Sequence, residues 1–268
     1  MTPSQTPSNT PLPAFDRYIA LGDSLSIDLY PARASHPAGA LAEHAELVPG
    51  MGAPSLLYRN LDDLWPEFAG VDLLAANPQI TFRNRHAFDH PAEHPTDHYA
   101  TDGATTVGVL AYQLHRVPPS EDRVLVTVTA GRNDVLQMLG APRPPATMVS
   151  GMISRAERLV RTVRERLPNA VLLLTTAPDP TDGSGMLDEE TPFEREGGWL
   201  AAYNEGLAEL VARSSSTHVR LADAAAHFAG HGINAAPEER WYWADRPVEL
   251  DARGASELRR VWVDALRG

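Results

Sequence analysis

Residues 17–25 read Arg-Tyr-Ile-Ala-Leu-Gly-Asp-Ser-Leu. The apolar run ends abruptly at Gly22, as a buried strand does when it runs into a turn. Ser24 then stands at the carboxyl end of that strand, where a helix should begin. Free N–H groups and the positive end of the helix dipole favour developing negative charge there. A serine in this position is either a helix N-cap or a nucleophile, and the stretch alone leaves both open.

Working outward, residues Val124–Thr129 (VLVTVT) and 170–176 (AVLLLTT) are two more apolar runs followed by turn residues, and 219–221 is a shorter fourth. Helical patterns lie between them. Met148, Met152, Ala156, Leu159, Val163 and Leu167 share one face at 3.6 spacing, and Pro168 closes the helix. Segments 105–114, 200–211 and 255–266 repeat the pattern, the last with Leu258, Trp262 and Ala265 facing inward. Such alternation predicts an α/β fold whose parallel central sheet is covered on both faces, with ligands at the carboxyl ends of the strands. No internal period is found, and 268 residues with 43% hydrophobic content suit one domain with a sizeable core. We place that domain at 15–268, behind a Pro-, Ser- and Thr-rich arm at 1–14 expected to be disordered. Residues from about 30 to 100 read as an insertion, and 179–198 as a loop bordering the site.

A formal charge of −12 repels phosphate backbones and anionic lipid, so neither nucleic acid nor a membrane is expected as a partner. The absence of cysteine excludes disulfides, thiolate metal sites and a cysteine nucleophile. The N-terminus has no basic and apolar leader pattern, and no run approaches a membrane span, which gives a cytoplasmic expectation.

Three loops after strands carry the chemistry. Gly22-Asp23-Ser24-Leu25 supplies a hydroxyl, Asp102-Gly103-Ala104-Thr105-Thr106 a turn at a helix start, and Ala130-Gly131-Arg132-Asn133-Asp134 a side-chain amide. Read singly, Ser24 can be an N-cap, Gly103 a tight turn and Asn133 an Asx-turn residue. Together they are the parts of a nucleophile with an oxyanion hole.

In these blocks the chain resembles the SGNH or GDSL hydrolases, named for Ser, Gly, Asn and His in four motifs. Ser24 in YIALGDSLSID matches the first, Gly103 in ATDGATTVGVLAYQL the second and Asn133 in VTAGRNDVL the third, over about 18–266. The resemblance implies a three-layer α/β/α flavodoxin-like fold and ester hydrolysis without a metal or other cofactor. It also implies oxyanion contacts from the Ser24 N–H, the Gly103 N–H and the Asn133 side chain.

The fourth motif departs from the pattern. The family's Asp-x-x-His, with Gly five residues after the His, falls on Val248-Glu249-Leu250-Asp251-Ala252-Arg253-Gly254, so Glu249 stands in the histidine's slot. Arg246 stands where the orienting Asp would be, next to Asp245. Two residues can replace the missing base. Glu249 is weak unless burial raises its pKa. His231, in Phe228-Ala229-Gly230-His231-Gly232 after the last predicted strand, has the right intrinsic pKa and is the favoured base, with Glu249 holding its second nitrogen.

Other signals are weaker. His86, His90, His94 and His98 recur every fourth residue, but Pro91 and Pro95 break the helix that would align them on a metal. Gly50-Met51-Gly52 lacks the third glycine of a dinucleotide fingerprint. Trp241, Tyr242 and Trp243 are expected to pack beneath the closing helix rather than to stack on a ligand. The sequence therefore predicts a serine esterase acting on a small-molecule ester. Its rivals are a carbohydrate deacetylase or thioesterase with the same apparatus, and a binding protein that kept the fold after losing its base.

Overall fold

Alternation along the strands decides which helices cover which face. In the computed structural model, β1 (Arg17–Leu21), β2 (Val124–Thr129), β3 (Val171–Thr175) and β4 (Val219–Ala222) form one parallel sheet in the order β1-β2-β3-β4. The structure describes residues 11–34, 50–83, 96–138, 145–193, 198–214 and 216–268. Ile19, Leu21, Val126 and Leu174 point to one face, where they pack with Met152, Leu159 and Val163 of the helix Pro145–Arg166 and Leu200 and Leu207 of the helix Trp199–Arg213. Tyr18, Ala20, Leu125 and Leu173 point to the other and meet Leu57 of the helix Ala53–Tyr58 and Leu258, Val261 and Trp262 of the closing helix Ala252–Arg267. The period-2 pleat sorts the apolar residues into two cores, and the result is the three-layer α/β/α fold.

The segment read as an insertion completes the sheet instead of standing outside it. Thr81 and His98 bridge β1 in parallel, and the amides of Tyr18 and Ala20 donate to Thr81 O and Asp97 O. These two short extended pieces flank β1 on the side away from β2, so the chain order across the sheet is flavodoxin-like. Asp97, buried between the guanidinium groups of Arg17 and Arg83, fixes that edge, and the paired charges hold its carboxyl below the usual range. Periodicity could not reveal a strand built from two such fragments.

The chain is packed before Phe15, because Leu12 is buried too; the rest of the predicted arm, 1–10, lies outside the described residues. Among the described residues no helix is long and apolar enough to cross a membrane.

Candidate active site

The turn after β1 is held from three sides. Gly22 has φ +142°, and a Cβ there would sit 2.1 Å from Thr129 Oγ1, so only glycine fits. Its backbone N–H donates to Gln113 Oε1 (2.7 Å), and its carbonyl accepts from Gln113 Nε2 (2.8 Å). Gln113 ends a π-helical turn, Val109–Gln113, between the short helices Thr106–Gly108 and Leu114–Arg116. Such turns often occur at functional sites. Asp23 caps the short 3-10 helix Ser24–Ser26, its Oδ1 accepting from the Leu25 N–H (3.1 Å) and from Thr129 Oγ1 (3.0 Å). The capping role open to Ser24 thus belongs to Asp23, and the Ser24 hydroxyl is left for another task.

That hydroxyl lies beside the Glu249 carboxyl and favours its ionised form. Glu249 reaches the site from β6 (Arg246–Leu250), which pairs antiparallel with β5 (Tyr242–Trp243). It is buried, and among the described residues its Oε2 has no hydrogen-bond partner. Burial pushes its pKa up from the ordinary 4.5 to about 7, against the pull of the Arg132 guanidinium and the Ser24 hydrogen bond and with help from Asp102 and Asp23.

Arg132 completes the group, and the sequence reading passed over it. Only 2% exposed, it opens the helix Arg132–Gln137. Gly131 before it has φ +120°, and a Cβ there would meet the Tyr203 ring at 2.4 Å. The Arg132 Nη1 donates to Val248 O (2.5 Å), and Nη2 lies 3.5 Å from Ser24 Oγ. One signal was available: a cation in the first turn of a helix opposes the macrodipole, and such local conflicts mark functional positions.

The second and third motifs form a rim beside this group. The Thr101 N–H donates to Gly22 O (3.0 Å), and Asn133 Nδ2 donates to Ala104 O (3.0 Å). Asp134 accepts from both the Thr106 N–H (2.8 Å) and its hydroxyl (2.6 Å). Gly103 has φ +70°, and nothing lies within 4 Å of where its Cβ would be, so this turn opens outward. Asp102 accepts a short hydrogen bond from the Tyr30 hydroxyl (2.5 Å), and Arg246 lies over the Tyr30 ring.

His231 is not brought to this group. Its ring stacks on Trp241 with centroids 3.6 Å apart, and Nδ1 sits 2.7 Å from Glu239 O. Among the described residues no hydrogen bond or ring contact joins it to Ser24 or Glu249. The expected pairing of His231 with Glu249 is therefore not formed, because the 231–241 turn uses the imidazole to close on itself. His86, His90 and His94 lie outside the described residues, whereas His98 is buried with Nε2 2.5 Å from Ser26 O, bracing the Ser24–Ser26 turn.

The sequence model of the GDSL-like lipase/acylhydrolase family matches residues 20–255. The chain belongs to this family. It is a family of lipases and acylhydrolases, hydrolases of acyl esters, and the match spans all four motif positions from Ser24 to Glu249. No curated protein matches the chain significantly. Among solved structures, a protein described as a GDSL-like lipase from Parabacteroides merdae ATCC 43184 is 16% identical, with TM-score 0.58 over 96% of this chain and 97% of its own. A variant acetyl xylan esterase from Geobacillus stearothermophilus is 16% identical, with TM-score 0.55 over 95% and 96%. A phospholipase A1 from Streptomyces albidoflavus NA297 is 20% identical, with TM-score 0.52 over 94% and 100%. At these identities the likeness is one of fold, shared by proteins named for different substrates.

Proposed function

We propose that the chain hydrolyses carboxylic esters through an acyl-enzyme on Ser24, with Glu249 as general base and acid. The observation that carries this reading is the Ser24 hydroxyl resting on a buried carboxyl whose pKa is raised to about 7. A carboxylate so raised is a competent base at neutral pH, which an ordinary Glu is not. Ser24 Oγ attacks the substrate carbonyl carbon as its proton passes to Glu249. The Ser24 N–H, the Gly103 N–H and the Asn133 amide receive the oxyanion. Protonated Glu249 then gives its proton to the departing alcohol oxygen and the acyl group stays on Ser24. Water repeats the sequence: its proton goes to Glu249, its oxygen attacks the acyl carbon, and Ser24 leaves with the proton returned. None of these steps calls on a metal or a cofactor. Acetylated sugars or thioesters would be cleaved by the same steps, and the open turn at Gly103 leaves room for substrates of several shapes.

Fluorophosphonate labelling tests the reading. The wild-type chain should be labelled at Ser24, and Ser24→Ala should lose both the label and turnover of short-chain aryl esters while staying folded. Residual activity above roughly a tenth of wild type would remove Ser24 from the mechanism. An unlabelled, inactive wild-type chain would instead favour a binding protein.

A further inference from the structure

In a serine–histidine pair the neutral base becomes a cation as the oxyanion forms, and the two charges face each other. A carboxylate base behaves differently: it turns neutral on taking the proton and leaves the new oxyanion without a facing cation. The group around Ser24 contains a cation in the required place. Arg132 is fully buried from solvent, its Nη1 tied to Val248 O, one residue before Glu249, and its Nη2 3.5 Å from the reacting oxygen. Its Nε is buried with no hydrogen-bond partner among the described residues, so the guanidinium is not consumed by a structural network.

We infer that Arg132 is a catalytic residue, supplying to Ser24 Oγ and the developing oxyanion the positive charge that a histidine base would have acquired. The inference rests on the Ser24–Glu249 reading and deepens it. Charge accounting supports it. Before attack the group carries Glu249⁻ and Arg132⁺; at the tetrahedral intermediate it carries neutral Glu249, Arg132⁺ and the oxyanion. Counting Glu249, Arg132 and the oxyanion, the sum is zero in both states, so the anion that Arg132 faces passes from the carboxylate to the oxyanion. Lysine would supply the charge but not the fork that holds Val248 O and Ser24 Oγ together. The groups that act on Glu249 are Arg132 and Ser24, which favour its ionised form, and Asp102 and Asp23, which oppose it; Tyr30 stands beside Asp102. Arg132 is the cation of that set.

The test compares Arg132→Gln and Arg132→Lys with Glu249→Gln and Ser24→Ala, using an aryl acetate across pH 5.5–9.5 and following folding by thermal melts. Arg132→Gln should lower kcat by roughly 10²-fold or more, as loss of an oxyanion donor does, and should move the midpoint of the acid limb to higher pH. Arg132→Lys should recover part of kcat and bring the midpoint back toward wild type. A merely structural arginine would not move the pH midpoint, nor would a lysine rescue it. Folded Arg132→Gln with wild-type kcat and an unmoved midpoint overturns the inference. If Arg132→Gln does not fold, an Arg132→Lys variant no more active than Glu249→Gln and with no titration near neutrality overturns it equally. Activity surviving in Ser24→Ala or Glu249→Gln would instead overturn the underlying dyad, so the two failures are told apart.

Discussion

Replacing Glu249 by Gln should make the protein more stable while destroying its activity, and the gain should depend on pH in a calculable way. Burial raises the Glu249 pKa from the ordinary 4.5 to about 7. A group with a raised folded pKa contributes stability that is complete below its unfolded pKa and is lost as pH rises through the folded one. At pH 8 nearly all of the difference has been lost, about 3 kcal/mol at 1.36 kcal/mol per pKa unit. At pH 5 the loss is under about 1 kcal/mol. Glutamine keeps the shape and a hydrogen-bonding end for Ser24 but carries no charge. Glu249→Gln should therefore melt roughly 6 °C or more above wild type at pH 8 and within about 4 °C of it at pH 5. Paired thermal or urea unfolding across that range measures the difference directly. In the wild type, kcat/KM should rise with pH through about 7, and the variant should show neither the rise nor appreciable turnover. A stability difference equal at both pH values would refute the reasoning, since it would mean that Glu249 does not titrate between them.

Two further variants probe the remaining residues. Asn133→Ala should lower kcat by roughly 10²–10³-fold with little change in KM, because its amide is needed mainly when charge develops; a rise in KM alone would place it on the ground-state substrate. His231→Ala should leave kcat and the pH midpoint within about twofold of wild type, since its ring serves the 231–241 turn; loss of the acid limb in this variant would return the base to His231.

The sheet was legible because its strands are short, continuous and apolar on both faces. Nothing but a buried parallel strand accounts for RYIAL, VLVTVT and VLLLT each ending in a turn. The fifth position beside β1 was not legible, because Thr81 and Asp97–His98 are too far apart in sequence to form a pattern and owe their place to Asp16, Arg17 and Asp97. At the site, counting back from Gly254 pointed to Glu249, which lies beside Ser24, whereas no sequence count could say how deeply its carboxyl is buried. That depth is the ground on which we propose Glu249 rather than His231 as the base. His231 looked the better one only on its intrinsic pKa, and the stacking on Trp241 and the bond to Glu239 O are tertiary facts.

The stability cost argued for Glu249 is not isolated. Among the described residues, Asp23 Oδ2, Glu249 Oε2 and Arg132 Nε are all buried without hydrogen-bond partners, and the three residues interact electrostatically. Each such atom forfeits about 1–3 kcal/mol relative to a satisfied one. The surrounding fold compensates nearby: Thr129, Gln113 and Thr106 each make more than one hydrogen bond to hold the motifs in place, and Thr129 alone engages Asp23 and Ser26. Three unsatisfied polar atoms thus fall in the group beside the Ser24 hydroxyl, and the multiply bonded side chains hold the motifs around it. A group fixed in this way does not have to reorganise, which is what the proposed electrostatic stabilisation of an oxyanion requires. Had burial of Glu249 been only a packing accident, an apolar residue in its slot would have been the more stable choice, and no arginine would have been needed beside it.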